Sequence, residues 1–241
     1  MNGTLHISPN PDQLAHDVAD WLVAYEQKVL QQQERFCIAL SGGSTPKLLH
    51  QLLASAPYCD KLSWDKWHVF WGDERYVRLS DGQSNARMAF DTLLDHVPIS
   101  VDQIHVMRTD TLPRKSMEAY EQTLHQYFDG LPHTFDLVLL GMGDDGHTLS
   151  LFPGPGTAMV HEQTAWTRTY FLDRQSMYRL TLTAPVVNRA AAVAFMVAGS
   201  NKAMALHDVL YGDYQPDRYP AQLINPDGEL LWFVDKAAIG E

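Results

Sequence analysis

Apolar residues along the chain follow two alternating patterns, short continuous runs and longer stretches with helical spacing. A continuous run predicts a strand buried on both faces, and apolar positions three and four apart predict an amphipathic helix. The predicted strands are 36–40, 67–71, 104–107, 137–140, 192–198 and 230–234, with 168–172 and 178–183 as a hairpin-like pair. The predicted helices are 11–33, 46–52, 88–94, 115–128, 185–190 and one that ends near 210.

The order of these elements predicts the fold class. Strands that alternate with helices indicate an α/β protein whose sheet is doubly wound and mainly parallel. The carboxyl ends of parallel strands lie at one edge of the sheet, which is where such folds bind ligands. Four predicted strands are followed by loops rich in glycine and polar residues: 41–46, 72–75, 141–148 and 199–202. We therefore expect these four loops to converge on one crevice.

The first of these loops has the parts of a phosphate cradle. Glycines let the backbone approach an anion, and the amino end of a helix favours negative charge. The candidate phosphate-binding residues in this loop are Gly42, Gly43, Ser44 and Thr45. Lys202 in the last loop can add a point charge. The alternative is a tight turn in which Ser44 or Thr45 caps the helix and Lys202 is solvated.

The two middle loops carry candidate catalytic side chains. Asp73, Glu74 and Arg75 follow an aromatic strand. Arg75 can bind a phosphate or a carboxylate or stabilise an oxyanion, or it can simply pair with its acidic neighbours. His147 follows the apolar run 137–140, and a histidine at a strand end suits general base catalysis near neutral pH.

Residues 141–146 also match the Gly-x-Gly-x-x-Gly pattern of dinucleotide-binding loops. That pattern belongs to the first strand–helix turn of its fold, and several elements precede it here. Asp144 and Asp145 lie inside the loop, where their charges would repel a pyrophosphate. The chain has no Walker ending, no Gly-x-Ser-x-Gly elbow and no His-Glu-x-x-His spacing. These motifs therefore favour neither a dinucleotide site nor a zinc site.

Charge and composition narrow the range of partners. The 241 residues include 18 basic and 29 acidic side chains, for a formal net charge of −11. This balance disfavours nucleic acid, and an anionic substrate would need a local cluster of cations and amides. The sequence shows no secretory signal and no apolar stretch of membrane-spanning length. We expect a cytoplasmic protein that binds neither nucleic acid nor membrane.

Taken together, the loop motifs resemble those of the 6-phosphogluconolactonases in the glucosamine-6-phosphate isomerase/6-phosphogluconolactonase family. The matching segments are 40–46, 71–75, 84–85, 141–148, 150–153, 179–183, 199–202 and 232–235. The resemblance implies a single domain over residues 1–241, with a Rossmann-like sheet and a smaller appended subdomain. It also implies hydrolysis of 6-phospho-D-glucono-1,5-lactone to 6-phospho-D-gluconate in the oxidative pentose phosphate pathway, without metal or cofactor.

The resemblance also implies roles for individual residues. The substrate phosphate is expected on the 42–45 loop with Lys202, helped by Arg179. His147 is expected to activate water, and Arg75 to stabilise the oxyanion or the leaving ring oxygen. Asp73 is expected to orient either His147 or a sugar hydroxyl. The partner is then a phosphorylated sugar lactone, and the protein is expected to be a monomer or a weak homodimer.

Two other function classes stay open on the sequence alone. The glucosamine-6-phosphate deaminases share the Asp-Gly-His turn, but they carry a glutamate five residues past the histidine, where this chain has Phe152. They also tend to have Asp-Glu-Tyr in place of Asp73-Glu74-Arg75, so both differences favour the lactonase. A sugar-phosphate sensor without catalytic activity is the third class, although it would have no use for Asp73 and His147.

Overall fold

A computed structural model describes residues 3–154 and 158–241 of the chain. The strands are β1 (Thr4–Ser8), β2 (Phe36–Leu40), β3 (Trp67–Trp71), β4 (Asp73–Arg75), β5 (Leu137–Leu140), β6 (Thr167–Leu172), β7 (Met177–Leu182), β8 (Ala192–Val197) and β9 (Glu229–Asp235). The α-helices are α1 (Pro11–Leu30), α2 (Ser44–Leu53), α3 (Asn85–Thr92), α4 (Pro113–Phe128), α5 (Ala184–Asn188) and α6 (Ala203–Tyr211). Several short 3-10 turns connect these elements.

The strands form two sheets. The larger sheet has the order β1-β9-β8-β5-β2-β3, and all of its neighbouring pairs are parallel. The smaller sheet has the order β4-β7-β6 and is antiparallel. The predicted α/β class with a mainly parallel sheet and a smaller appended unit is therefore confirmed.

The interior strands of the large sheet are apolar because helices cover both faces. Every residue of β2, β5 and β8 is buried. Crossovers between parallel strands are right-handed. A helix in a connection toward one edge of the sheet therefore lies on the opposite face from a helix in a connection toward the other edge. Helix α1 begins as its sequence predicts, with Pro11 in the first turn and the Asn10 side chain accepting from the amide of Gln13 at 2.8 Å. The buried face of α1 then packs on the sheet.

Three features differ from the predicted elements. The sequence analysis missed β1, which pairs with β9 at one edge, and β4, which is only three residues long. The prediction of a strand at 104–107 is wrong. Ile104 makes one isolated bridge with Val69, and the amide of His105 donates to the carbonyl of Val69 at 2.8 Å. The chain then leaves the sheet, and Met107 is buried in the core from a loop.

The strand order places the four polar loops side by side. From β2 the chain moves outward to β3, whereas from β5 it moves in the other direction through β8 to β9. The carboxyl ends of β2 and β5 thus flank the point where the winding direction reverses, where α/β sheets form a ligand crevice. Loops 72–75, 41–46, 141–148 and 199–202 follow the adjacent strands β3, β2, β5 and β8. The prediction that these loops lie together at one edge of the sheet is confirmed.

Gly72 joins the two sheets at this edge. It separates β3 of the large sheet from β4 of the small one. Its amide donates to the carbonyl of Leu40 at 2.9 Å, and its carbonyl accepts from the amide of Leu182 at 2.8 Å. One residue is thus bonded to both sheets, through its amide to the large sheet and through its carbonyl to the small one. In the described part of the chain, no helix is long and apolar enough to cross a membrane.

Candidate active site

His147 is hydrogen-bonded to a carboxylate from its own loop. Its Nδ1 lies 2.5 Å from Oδ1 of Asp145, which also accepts from the backbone amide of His147 at 3.1 Å. A carboxylate can only accept, so Nδ1 carries a proton, and in the neutral form of the ring Nε2 is the nitrogen with the lone pair. Burial alone would raise the pKa of the Asp145 carboxyl, but the hydrogen bonds and charge of His147 outweigh it and hold that pKa well below its usual range.

The loop that holds this pair has little room for larger residues. The amide of Gly143 donates to the carbonyl of His147 at 2.8 Å, and the amide of Gly146 to the carbonyl of Gly143 at 3.1 Å. A Cβ at Gly143 would lie 2.0 Å from Nδ1 of His147. Gly146 has a φ of +75°, a conformation that favours glycine. These glycines therefore determine where the histidine ring lies.

Phe152 forms the apolar wall beside His147. The two ring centroids are 4.2 Å apart, and Phe152 is buried. The guanidinium carbon of Arg174 lies over the same ring at 4.3 Å. Arg174 also donates through Nη2 to Oδ2 of Asp145 at 2.9 Å. Both oxygens of Asp145 are thus engaged, one by His147 and one by Arg174.

Asp73 belongs to a separate buried network. Its Oδ2 accepts from Nη2 of Arg179 at 2.7 Å and from the hydroxyl of Ser150 at 2.6 Å, and its Oδ1 accepts from Nδ2 of Asn85 at 3.1 Å. Burial alone would raise the pKa of Asp73, but the charges of Arg179 and Arg75 and the hydrogen bond from Ser150 lower it. The carboxylate bonded to His147 is therefore Asp145, and Asp73 instead ties the start of the small sheet to the loop after β5.

Glu74 and Arg75 point to different surroundings. The buried carboxylate of Glu74 accepts from the amides of Asn85 and Ala86 at 2.8 Å each and from the hydroxyl of Ser84 at 2.9 Å, so it caps the amino end of α3. Burial raises the pKa of Glu74. Arg75 is half-buried and donates through Nη1 to the carbonyl of Gln83 at 2.9 Å, while its buried Nε has no hydrogen-bond partner among the described residues.

The predicted phosphate loop leads directly into α2. The helix begins at Ser44, so its N-cap is Gly43 and not Ser44 or Thr45 as the alternative turn required. Gly43 has a φ of +115°, which disfavours the residues that cap with a side chain, and among the described residues no side-chain hydrogen bond caps this helix. Gly42 packs against Asn85, and a Cβ there would lie 1.9 Å from Oδ1 of Asn85. The first backbone N–H groups of α2 are therefore available to an acceptor other than a capping side chain.

Lys202 lies at the end of the loop after β8, directly before α6. It is half-buried, and in the described part of the chain no carboxylate pairs with it. Strand β8 is two positions from β2 in the sheet, which is about 10 Å at the usual strand spacing. The preceding turn is held by Asp235, whose Oδ1 accepts from the amide of Gly199 at 3.0 Å.

The structure groups the predicted site residues into three clusters along one sheet edge. In the first cluster, His147 lies with Asp145, Arg174 and Phe152. Asp73 and Arg179 form the second cluster. The 42–45 loop forms the third, and Lys202 lies two strands away from it.

Sequence reasoning assigned no role to Arg174 or Ser150. The tandem acids 144–145 beside the histidine were the only signal for Asp145. Within residues 3–154 and 158–241, no three His, Cys, Asp or Glu side chains come together as a metal site.

An open parallel sheet with a carboxylate-bound histidine at its switch point thus defines the architecture of the site. The family model described as glucosamine-6-phosphate isomerases/6-phosphogluconolactonase matches residues 9–232. The chain is 42% identical to a 6-phosphogluconolactonase from Nostoc sp. over 245 residues, covering 100% of this chain and 99% of the relative. It is also 42% identical to a 6-phosphogluconolactonase from Synechocystis sp., covering 88% of this chain and 86% of that one.

Solved structures agree with these relatives. The 6-phosphogluconolactonase from Trypanosoma brucei superimposes with a TM-score of 0.85 at 25% identity, over 98% of this chain and 97% of that chain. The enzyme of the same name from Thermotoga maritima gives 0.84 at 26% identity, over 97% and 99%. A monomeric glucosamine-6-phosphate deaminase gives 0.83 at 18% identity and shows the shared fold. The chain belongs to the glucosamine-6-phosphate isomerase/6-phosphogluconolactonase family.

Proposed function

We propose that the chain hydrolyses 6-phospho-D-glucono-1,5-lactone to 6-phospho-D-gluconate, a step of the oxidative pentose phosphate pathway. The relatives with 42% identity carry the name of that activity. The observation that carries the proposal is the surroundings of His147, which has Asp145 on Nδ1 and the ring of Phe152 at 4.2 Å. A deaminase of this family would have a glutamate in place of Phe152.

In this proposal His147 is the general base. Nε2 takes a proton from water as the water oxygen adds to C1 of the lactone, and Asp145 stabilises the imidazolium that forms. The tetrahedral intermediate then collapses, the bond between C1 and the ring oxygen breaks, and the imidazolium returns the proton to that oxygen. The histidine thus ends as it began, and one water is consumed for each ring opened.

Charged groups at the two ends of the substrate have separate tasks. The amides at the start of α2, with Lys202, hold the phosphate, because a helix amino end and an ammonium group both favour an anion. Anchoring this remote group lets binding energy orient the lactone carbonyl toward His147. Arg75, which is half-buried at the end of β4, stabilises the oxyanion at C1.

Asp73 and Arg179 act on the substrate through the shape of the site. The Arg179 guanidinium donates to Asp73, to Ser150 and to Gln175. Their ionic network holds the loop after β5 against the small sheet. We therefore infer that Asp73, whose two oxygens are both bonded within this network, positions Arg179 and the loop and does not contact a sugar hydroxyl.

The test is hydrolysis of freshly generated lactone, with spontaneous hydrolysis subtracted and glucosamine 6-phosphate offered in parallel. We expect net lactone hydrolysis without release of ammonia. His147→Ala should lower kcat by about 10²–10⁴, the usual contribution of a general base. His207→Ala is the matched control, because that histidine is exposed on α6. Ammonia release without lactone hydrolysis would assign the chain to the deaminases, and full net activity of His147→Ala would refute the role of His147.

A further inference from the structure

The turn between β6 and β7 brings a cation of the small sheet into contact with the catalytic loop of the large one. Residues Asp173–Gln175 form a single 3-10 turn, closed by the amide of Ser176, which donates to the carbonyl of Asp173 at 3.0 Å. Arg174 projects from this turn to Oδ2 of Asp145 at 2.9 Å. Its neighbour Gln175 accepts from Nη1 of Arg179 at 3.2 Å. The turn therefore contacts both ionic pairs of the site.

Arg174 and His147 share two supports. They bond to opposite oxygens of Asp145, and both lie against Phe152, with the ring of His147 at 4.2 Å and the guanidinium carbon of Arg174 at 4.3 Å. A carboxylate held at one oxygen alone can rotate about its terminal torsion, because that torsion is soft. A second bond at the other oxygen removes this freedom. The planar guanidinium suits such a site, since it can stack on a ring while it donates.

We propose that Arg174 is a positioning residue, which fixes Asp145 and Phe152 so that the His147 ring stays aimed at the reacting carbonyl. This inference rests on the proposed hydrolase function. It makes the turn of the appended sheet a part of the active site. The side chain of Arg174 is 47% exposed, so its loss should not unfold the protein.

Other charged groups near His147 come from several elements. Asp145 and Asp144 belong to its own loop, Arg174 comes from the β6–β7 turn, and Arg179 on β7 lies 5.7 Å from the centre of the Phe152 ring. Arg179 is already neutralised by Asp73 at 2.7 Å. Arg174 is thus the cation that bonds directly to the carboxylate of the histidine.

The experiment compares wild type, Arg174→Gln and Arg174→Lys. We expect Arg174→Gln to lower kcat by about 10- to 100-fold, the scale of a small misplacement of a catalytic group, with little change in KM. Arg174→Lys should recover part of kcat, because it keeps the charge and loses the planar contact with Phe152. Arg168→Gln is the matched control, since Arg168 lies in the same hairpin and pairs with Glu162 at 2.5 Å, and it should keep the wild-type kcat.

A second measurement does not depend on substrate. The Nδ1 proton between His147 and Asp145 should give a downfield proton resonance in wild type, and that signal should broaden or vanish in Arg174→Gln. Unchanged kcat with an unchanged resonance would overturn the inference. A raised KM with unchanged kcat would also overturn it and make Arg174 a substrate ligand. If wild type itself does not hydrolyse the lactone, the proposed function fails, while the resonance still decides whether Arg174 holds the pair.

Discussion

The buried pair of Asp73 and Arg179 allows a quantitative prediction about stability. The two side chains are only 9% and 4% exposed, and their closest atoms are 2.7 Å apart. Asp73→Asn keeps the shape of the side chain but removes its charge. It also puts either an amide NH₂ or a neutral oxygen opposite Nη2 of Arg179 and the hydroxyl of Ser150, which both donate to Oδ2 in the wild type.

The expected cost follows from the cation that is left behind. Removing one partner of a buried ion pair leaves a desolvated charge and typically costs about 3–5 kcal/mol. That is a large part of the usual free energy of unfolding, about 5–15 kcal/mol. Asp91→Asn is the matched control, because Asp91 and Arg87 form an exposed pair at 2.9 Å with side chains 53% and 42% exposed. Loss of an exposed pair should cost less than about 1 kcal/mol.

The assay is urea unfolding of wild type, Asp73→Asn and Asp91→Asn at pH 7. Equal small losses in both variants would refute the argument from burial. A third variant, Asp73→Leu with Arg179→Met, should recover much of the loss, because apolar replacement of both partners removes the unpaired charge. If it is less stable than Asp73→Asn, the ion pair itself is the stabilising element.

The pH dependence gives an independent check. The folded-state pKa of Asp73 is lowered, because the charges of Arg179 and Arg75 and the Ser150 hydrogen bond outweigh the effect of burial. The stability that this carboxylate contributes is therefore present above its unfolded pKa of about 3.9 and is lost as the pH falls below that value. The difference between wild type and Asp73→Asn should shrink in that range. A loss of activity in Asp73→Asn has meaning for catalysis only when measured on the folded fraction.

Two further predictions concern the phosphate subsite and the helix behind it. Lys202→Ala should raise KM for the phosphorylated lactone by about 10-fold or more with little change in kcat, as expected for lost charge-assisted binding. Lys66→Ala is the control. An unchanged KM in Lys202→Ala would exclude Lys202 from the phosphate site. His50 on α2 is fully buried, and burial lowers its pKa to about 4. Unfolding therefore takes up a proton as the pH falls from about 6.5 to 4, so the free energy of unfolding should fall by up to about 3 kcal/mol over that window. His50→Gln should flatten this slope in urea unfolding at pH 7 and pH 4.5, and equal slopes would contradict the assignment.

The interior of the large sheet was predictable because its strands need a simple pattern. A strand covered on both faces must be apolar throughout, and β2, β5 and β8 are. Once those strands are parallel, their carboxyl ends share an edge. The convergence of the four loops then follows from topology and not from any one motif.

The parts that the sequence did not show depend on contacts between distant residues. Strand β4 consists of three charged residues and exists because it pairs with β7, more than 100 positions along the chain. Arg174 is in an ordinary polar turn of the sequence, and only the hairpin brings it to Asp145. The segment 104–107 has the composition of a strand, but it makes a single bridge to β3.

The choice between Asp73 and Asp145 as the partner of His147 was also beyond the sequence. Asp145 lies two residues before the histidine, and the tight turn from Gly143 to Gly146 folds its side chain back onto the ring. Asp73 also follows a strand of the large sheet at this edge, but Arg179 and Ser150 donate to its carboxylate. Which carboxylate each of these donors bonds to depends on the three-dimensional positions of the groups, which the sequence does not show.

The double bonding of Gly72 limits how this molecule can move. Enzymes that close over a substrate often do so by a hinge between two rigid bodies, and the hinge needs a few residues free to change their dihedral angles. Here the residue between the two sheets is bonded on one side to Leu40 and on the other to Leu182. Each bond holds one half of Gly72 to one sheet, so a rotation of one sheet against the other at this point has to come from the φ and ψ angles of this single residue. The amide of Gly72, which stays bonded to Leu40 in any such rotation, should therefore exchange with deuterium about as slowly as the centre of the sheet.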